Sequence, residues 1–190
     1  MHIGAIPSTL SRHVCIDFVN SRFDDYRGSG HVIDRLELEE WRRWFVARCG
    51  LGESQPLSAE DRVELVAFRR FLRGELERRR RPSPAALATL NGYLSRSARW
   101  PEVSVGRGDP ALNTRWTRPG WASVMAVVAA SFAELVVGGE LGRVHVCANP
   151  DCTYMFFDES RTGSRRWCDV AVCGNLMRVR RHRGLAPQLT

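Results

Sequence analysis

Apolar residues recur at helical spacing along most of the chain, and only short stretches alternate as strands do. Over residues 13–24 the polar groups fall at 13, 17, 20 and 24 on an otherwise apolar segment, an i, i+4, i+7, i+11 stripe that predicts one mostly buried helix. A second helix is expected over residues 36–49, where Leu38, Trp41, Trp44, Phe45 and Arg48 keep helical spacing and Gly50 supplies a stop. Pro56 closes the loop that follows. Ser58 stands three residues before Asp61 as an approximate capping box, and Val63, Val66, Ala67, Phe71 and Leu72 carry a helical stripe toward Arg79. Ser83 and Pro84 form an N-cap with proline at the first helical position, opening a helix through Leu87, Leu90, Tyr93 and Leu94. Residues 103–105 and 112–116 flank a Gly106-Arg107-Gly108-Asp109-Pro110 turn and predict a small hairpin.

The most apolar run is residues 121–137, WASVMAVVAASFAELVV, opened by Pro119 and ended by Gly138-Gly139. It is 17 residues long and contains Glu134, whereas a bilayer needs about 20 predominantly apolar residues. A helix buried in a protein core is therefore expected, with no membrane partner. The fold class that emerges is mostly α: a helical N-terminal domain with a small β-hairpin over residues 1–140, then a small ββα-like module over residues 141–190. The boundary falls near residues 139–142.

Composition adds a bias in chemistry. The 190 residues carry 28 basic side chains, all Arg, against 21 acidic ones, giving a net charge of +7. Guanidinium groups stay ionised and fork onto phosphates and carboxylates, so the surface favours anions. Arg78-Arg79-Arg80-Arg81 follows Glu75 and Glu77 and precedes Pro82. It reads as a solvated helix end in preference to a nucleic-acid patch, because cations favour a helix C-terminus. The N-terminal MHIGAIPSTLSRH lacks the basic start and long apolar run of a secretory signal, which points to a reducing cytoplasm where thiols stay free.

Four of the six cysteines, Cys147, Cys152, Cys168 and Cys173, crowd into 27 residues. The spacing is Cys-x4-Cys, fifteen residues, then Cys-x4-Cys: two chelating pairs separated by enough chain for a short hairpin. Four thiolates around one ion form a closed structural zinc site. A disulfide pair is disfavoured by the compartment, and iron–sulfur ligand runs are usually arranged differently. Asn149-Pro150-Asp151 bends the first loop, and Gly174 offers the second the backbone freedom to enter a helix. A closed tetrathiolate leaves no open position for substrate, so the single Zn2+ is a staple for about 45 residues that could hardly bury a sufficient core alone.

The second pair leads into a helix on which Asn175, Arg178, Arg181 and His182 share one arc, while Leu176 and Val179 are expected to face the metal with Cys173. Arg161, Ser164, Arg165, Arg166 and Trp167 add charge beside an aromatic ring. Seven Arg and one acid, Asp169, lie between residues 160 and 183. Phosphate backbones attract such a surface, Arg can read guanine edges, and Trp167 can stack on an unpaired base. The bland alternative is a solvated basic face that offsets the net negative charge of a tetrathiolate zinc site.

These residues resemble the CGNR-type zinc-finger family, through Cys147-Ala148-Asn149-Pro150-Asp151-Cys152, Phe156-Phe157-Asp158-Glu159-Ser160, Ser164-Arg165-Arg166-Trp167-Cys168 and Cys173-Gly174-Asn175. Upstream, Cys15-Ile16-Asp17-Phe18-Val19-Asn20-Ser21, the Trp41 and Trp44 helix and the Arg69-Arg70 helix resemble the ABATE domain that usually precedes that finger. The resemblance implies a stress-linked bacterial transcription regulator, with the four cysteines as zinc ligands and the finger as the nucleic-acid module. One departure is Leu176, which stands where the family has Arg after Gly-Asn. It leaves open either a tolerated change or a redirected function.

His13, Asp17 and Asn20, with Trp41, Trp44 and Arg69 or Arg70 near them, could line a pocket for a small effector. The favoured reading is a polar seam in the core, since buried polar groups need partners. No phosphate loop, nucleophile elbow or open metal motif accompanies them, so an enzyme has little specific support. Two functions remain. One is a regulator that senses an effector or forms a homodimer through its helical domain and binds nucleic acid, DNA before RNA, through its zinc module. The other is a small-molecule-binding protein or enzyme braced by that module.

Overall fold

The computed structural model describes residues 11–52, 56–105 and 109–184. The Gly106-Arg107-Gly108 turn and the N-terminal ten residues lie outside them. The fold is mostly α with three small antiparallel hairpins. Helices α1 (Val14–Val19), α2 (Glu39–Arg48), α3 (Ala59–Arg78), α4 (Pro84–Leu94) and α5 (Trp121–Val137) form the body. Hairpins β1 (Arg22–Asp24) with β2 (Val32–Asp34), and β3 (Arg99–Val105) with β4 (Pro110–Trp116), interrupt it. The C-terminal part is β5 (Val144–Val146), β6 (Met155–Phe157) and α6 (Asn175–His182), a ββα order.

Local chemistry places the helix starts where the sequence expects them. The Ser58 hydroxyl accepts from the Asp61 amide at 3.0 Å, and Ser83 accepts from the Ala86 amide at 3.2 Å ahead of Pro84. Helix α5 spans the predicted run, and ten of its residues are buried, Phe132 and Val128 fully. It packs against α1, α3 and α4. Among the described residues no helix is long and apolar enough to cross a membrane. Around α5 the rings of Phe18, Phe45 and Phe68 meet at 5.6 to 5.7 Å, and Trp41 stacks on Phe45 at 4.7 Å.

Three expectations need correction. The first helix does not run to Asp24 but ends at Val19; the buried Asn20 side chain pairs with the Met155 backbone, and the chain then enters β1. In α3 the core face is Leu65, Phe68, Leu72 and Leu76; of the expected stripe only Leu72 is fully buried, Val66 and Phe71 pack at the core's edge, and Val63 is 68% exposed. The larger side chains at 3–4 spacing take the interior. In α6 the inward residues are Met177 and, behind it, Arg180; Val179 is 45% exposed. Met177 lies four residues after Cys173 and so falls under it on the same face, whereas Val179 does not.

The core does not stop at the C-terminal module. Val144, Met155 and Phe157 belong to the same apolar cluster as Phe18, Leu72 and Phe132. By contrast, Val103, Val105 and Leu112 on one face of the β3–β4 hairpin are exposed.

Candidate functional site

The four clustered cysteines come together from two local turns. Cys147 follows β5 and Cys152 precedes β6, and the turn between them closes through Cys152 N donating to Asn149 O at 2.9 Å and Cys147 N donating to Tyr154 O at 2.9 Å. Cys168 precedes a wide helical turn, Val170–Gly174, that carries Cys173 into α6. Asp169 caps this turn by accepting from Val172 N at 3.0 Å. All four sulfurs lie within 4.8 Å of one another, with Cys152 to Cys168 at 3.8 Å and Cys168 to Cys173 at 3.7 Å. A tetrahedron built on metal–sulfur bonds of about 2.3 Å has edges of about 3.8 Å. Disulfides are excluded at these separations, since a bonded pair sits at about 2.05 Å. The donor set and its spacing fit zinc.

Hydrogen bonds from Cys152, Cys168 and Cys173 pull the Cys147 thiol down, and Cys152 and Cys168, which share protons with it, are pushed up. Crowded thiols ionise at one another's expense, and only a cation lets all four serve as thiolates together. Asn149, 1% exposed, turns its amide to Cys173 Sγ at 3.7 Å and to Tyr26 O at 2.8 Å. It is thus a sulfur donor as well as the turn former read from the sequence.

The residues expected to meet nucleic acid divide into two groups. Arg161, Arg166, Asn175, Arg178, Arg181 and His182 are exposed, and none of them has an acidic partner among the described residues. Arg165 and Trp167 are committed inside the module. The Arg165 side chain donates to the carbonyls of Trp167, at 2.8 Å, and Cys168, and lies 4.7 Å over the Phe156 ring. Trp167 packs beside the sulfurs and over Gly174, where a Cβ would meet its Cδ1 at 3.2 Å. Gly174 is helical at φ −61°, so closeness to that ring, not backbone freedom, is what glycine provides there. The sequence reading missed Asp158, fully buried, which accepts from Ser160 N and Arg165 N at 2.8 Å each and orders the loop toward Cys168. Burial opposes its charge, yet bonds from Ser160 and Arg165 hold its carboxyl below the usual range.

The five residues named as an effector pocket are distributed through the interior. His13 is buried with its ring 4.8 Å from Phe157, and burial, then the Arg12 charge, hold its pKa down. Asn20 donates to Met155 O and accepts from Met155 N, both at 2.8 Å, extending β6 as a backbone would. Trp41 sits in the aromatic core and Trp44 at its edge. Asp17, 5% exposed, accepts from Ser11 N at 3.0 Å and lies 3.5 Å from Arg48. Burial raises its pKa to about 6, against the lowering effects of Ser11 and Arg48.

Because that value exceeds the unfolded one of 3.8, the fold prefers protonated Asp17. Its stabilising share is complete below about pH 4 and is lost as pH rises through 6. Asp17→Asn should therefore raise stability in urea by about 2–3 kcal/mol near pH 7.5, a gain that shrinks as pH is lowered from 6 toward 4. A gain independent of pH would refute this account of the buried carboxyl.

Comparison with known families agrees with the geometry. The CGNR zinc finger matches residues 143–184, and ABATE, described as "Putative stress-induced transcription regulator", matches residues 12–139. No curated protein matches the chain. With two-thirds of its length inside one family and the thiol cluster inside the other, the chain belongs to the ABATE family and carries a CGNR zinc finger C-terminal to it.

Proposed function

We propose that this protein is a bacterial transcription regulator, working in a reducing cytoplasm, whose one structural zinc ion rigidifies a nucleic-acid-binding face, with DNA preferred over RNA. The observation that carries the reading is the exposed set Arg161, Arg166, Arg178, Arg181 and His182 on the zinc module. Guanidinium groups with no ion pair among the described residues can neutralise phosphates and release counterions. Arg165 and Trp167 support that face from within. The helical domain senses or dimerises, and the exposed Val103, Val105 and Leu112 face supports the second role.

Salt titration tests the proposal. Duplex DNA affinity should fall steeply with salt, and Arg178→Ala with Arg181→Ala should lower the log–log slope by roughly 1.8, about 0.9 for each lost phosphate contact. Single-stranded RNA titrated in parallel should bind more weakly. Unchanged affinity and slope in a double variant that retains its zinc would overturn the assigned face.

A further inference from the structure

The Arg78-Arg79-Arg80-Arg81 run ends α3 exposed to solvent, but its members are not equivalent. Arg79 adopts a left-handed conformation, φ 52°, the one described non-glycine residue to do so. Its side chain reaches across to the Gly142 carbonyl. That reversal leaves Arg80 and Arg81 on the wall of an open groove of about 570 Å³ between the ends of α3 and α5, at the start of the zinc module. Its lining is largely apolar: Leu87, Val136 and Leu141 lie within it, and Val137, 87% exposed, stands at its rim. No acid lines the groove, and among the described residues Arg80 and Arg81 have no hydrogen-bond or ion-pair partner. A left-handed residue after the last turn is a common way for a helix to end.

We propose that this groove binds a small amphiphilic anion, a phosphate or carboxylate head held by Arg80 and Arg81 with a short alkyl chain laid over Val136, Val137 and Leu87. Two guanidinium groups beside bare apolar surface match both ends of such a molecule: the forked donors take the head, and the chain covers side chains that water now meets. Free inorganic phosphate satisfies one half of the site and an alcohol the other, so neither should bind well. Nucleic acid lacks the flexible alkyl portion and leaves Val137 uncovered. The position is apt for an effector, since the groove spans the segment joining the helical body to the zinc module. Occupancy is measured with no oligonucleotide present, so it stands or falls independently of the proposed nucleic-acid face.

The test is calorimetric titration of the zinc-loaded full chain with n-butyl, n-hexyl and n-octyl phosphate and with octanoate, against inorganic phosphate and n-octanol. Affinity should rise by up to about fourfold for each added methylene the groove covers. Octyl phosphate should bind at least about tenfold more tightly than either control, and the tighter of octyl phosphate and octanoate identifies the preferred head. Arg80→Gln with Arg81→Gln should weaken octyl phosphate about tenfold. Val137→Asn should also weaken it, with little change in melting temperature, because the side chain is almost wholly exposed. Absence of chain-length dependence, or octyl phosphate binding retained in the double glutamine variant, would overturn the proposal. So would a double variant that loses DNA affinity while the wild type ignores octyl phosphate.

Discussion

Cys168→Ser should lose its zinc and, with it, the fold of the C-terminal module. A tetrathiolate site contributes on the order of 10 kcal/mol or more to the folding of a small domain, and the 45 or so residues concerned bury only Cys147, Cys152 and Cys173 with a few partly covered rings in their own cluster. Metal analysis should fall from about one zinc per chain to near none, and the near-ultraviolet signal of Trp167 should collapse. The consequence should reach further than the module. Met155 and Phe157 pack with Phe18 and Phe132, and Arg73 donates to Thr153 O at 2.9 Å. The helical body should therefore melt at lower temperature while keeping its far-ultraviolet helix signal at 25 °C. Chelation of the wild type should reproduce both effects, and zinc should reverse them. Stoichiometric zinc retained in the serine variant would refute the ligand set.

The second large effect is expected at Arg69. It is buried on α3, yet forks onto both oxygens of Asp34, at 2.7 and 2.5 Å, and donates to Ser21 Oγ at 2.8 Å. Burial pushes the Asp34 carboxyl up, but the Arg69 bonds hold it below its usual range. Arg69→Met leaves that carboxylate with only the Leu36 amide, at 3.1 Å, and takes the guanidinium donor from Ser21 Oγ, which should cost about 3 kcal/mol. For a chain of this size the melting midpoint should drop by roughly 6–12 °C. Adding Asp34→Leu should recover part of the loss, since no carboxylate is then left without its guanidinium, while the Leu36 amide gives up its acceptor. Because the Asp34 pKa is depressed, the deficit of Arg69→Met relative to wild type should fade as pH falls through the folded value. An equal loss in the single and double variants would show that packing, not charge, is at issue.

Helices marked by their own neighbours were legible in the sequence: Ser58 with Asp61, Ser83 with Pro84, and the apolar run of α5 all act within a few residues. The thiol cluster was legible for the same reason, since each pair is set by a local turn. What could not be read depends on partners far along the chain. Asn20 pairs with Met155, 135 residues away. Arg165 looks like a phosphate ligand by type and is instead held by two carbonyls and a ring. Arg180 turns inward because Asp151 at 2.5 Å and the Arg27 carbonyl at 3.1 Å receive it, and that choice rotates the apolar Val179 outward. In each case the side chain's type was visible and its partner was not.

The pairing of Asn20 with β6 bears on how binding should be mapped. A fragment beginning at Gly142 would carry all four clustered cysteines and the exposed arginines of the zinc module, yet present Val144, Met155 and Phe157 bare to water and strip the Met155 backbone of its Asn20 partner. Such a miniature would aggregate or slip its strand register, and its failure to grip an oligonucleotide would say nothing about the parent. Deletion series are the wrong instrument for this architecture; single side-chain changes in the intact polypeptide are the right one.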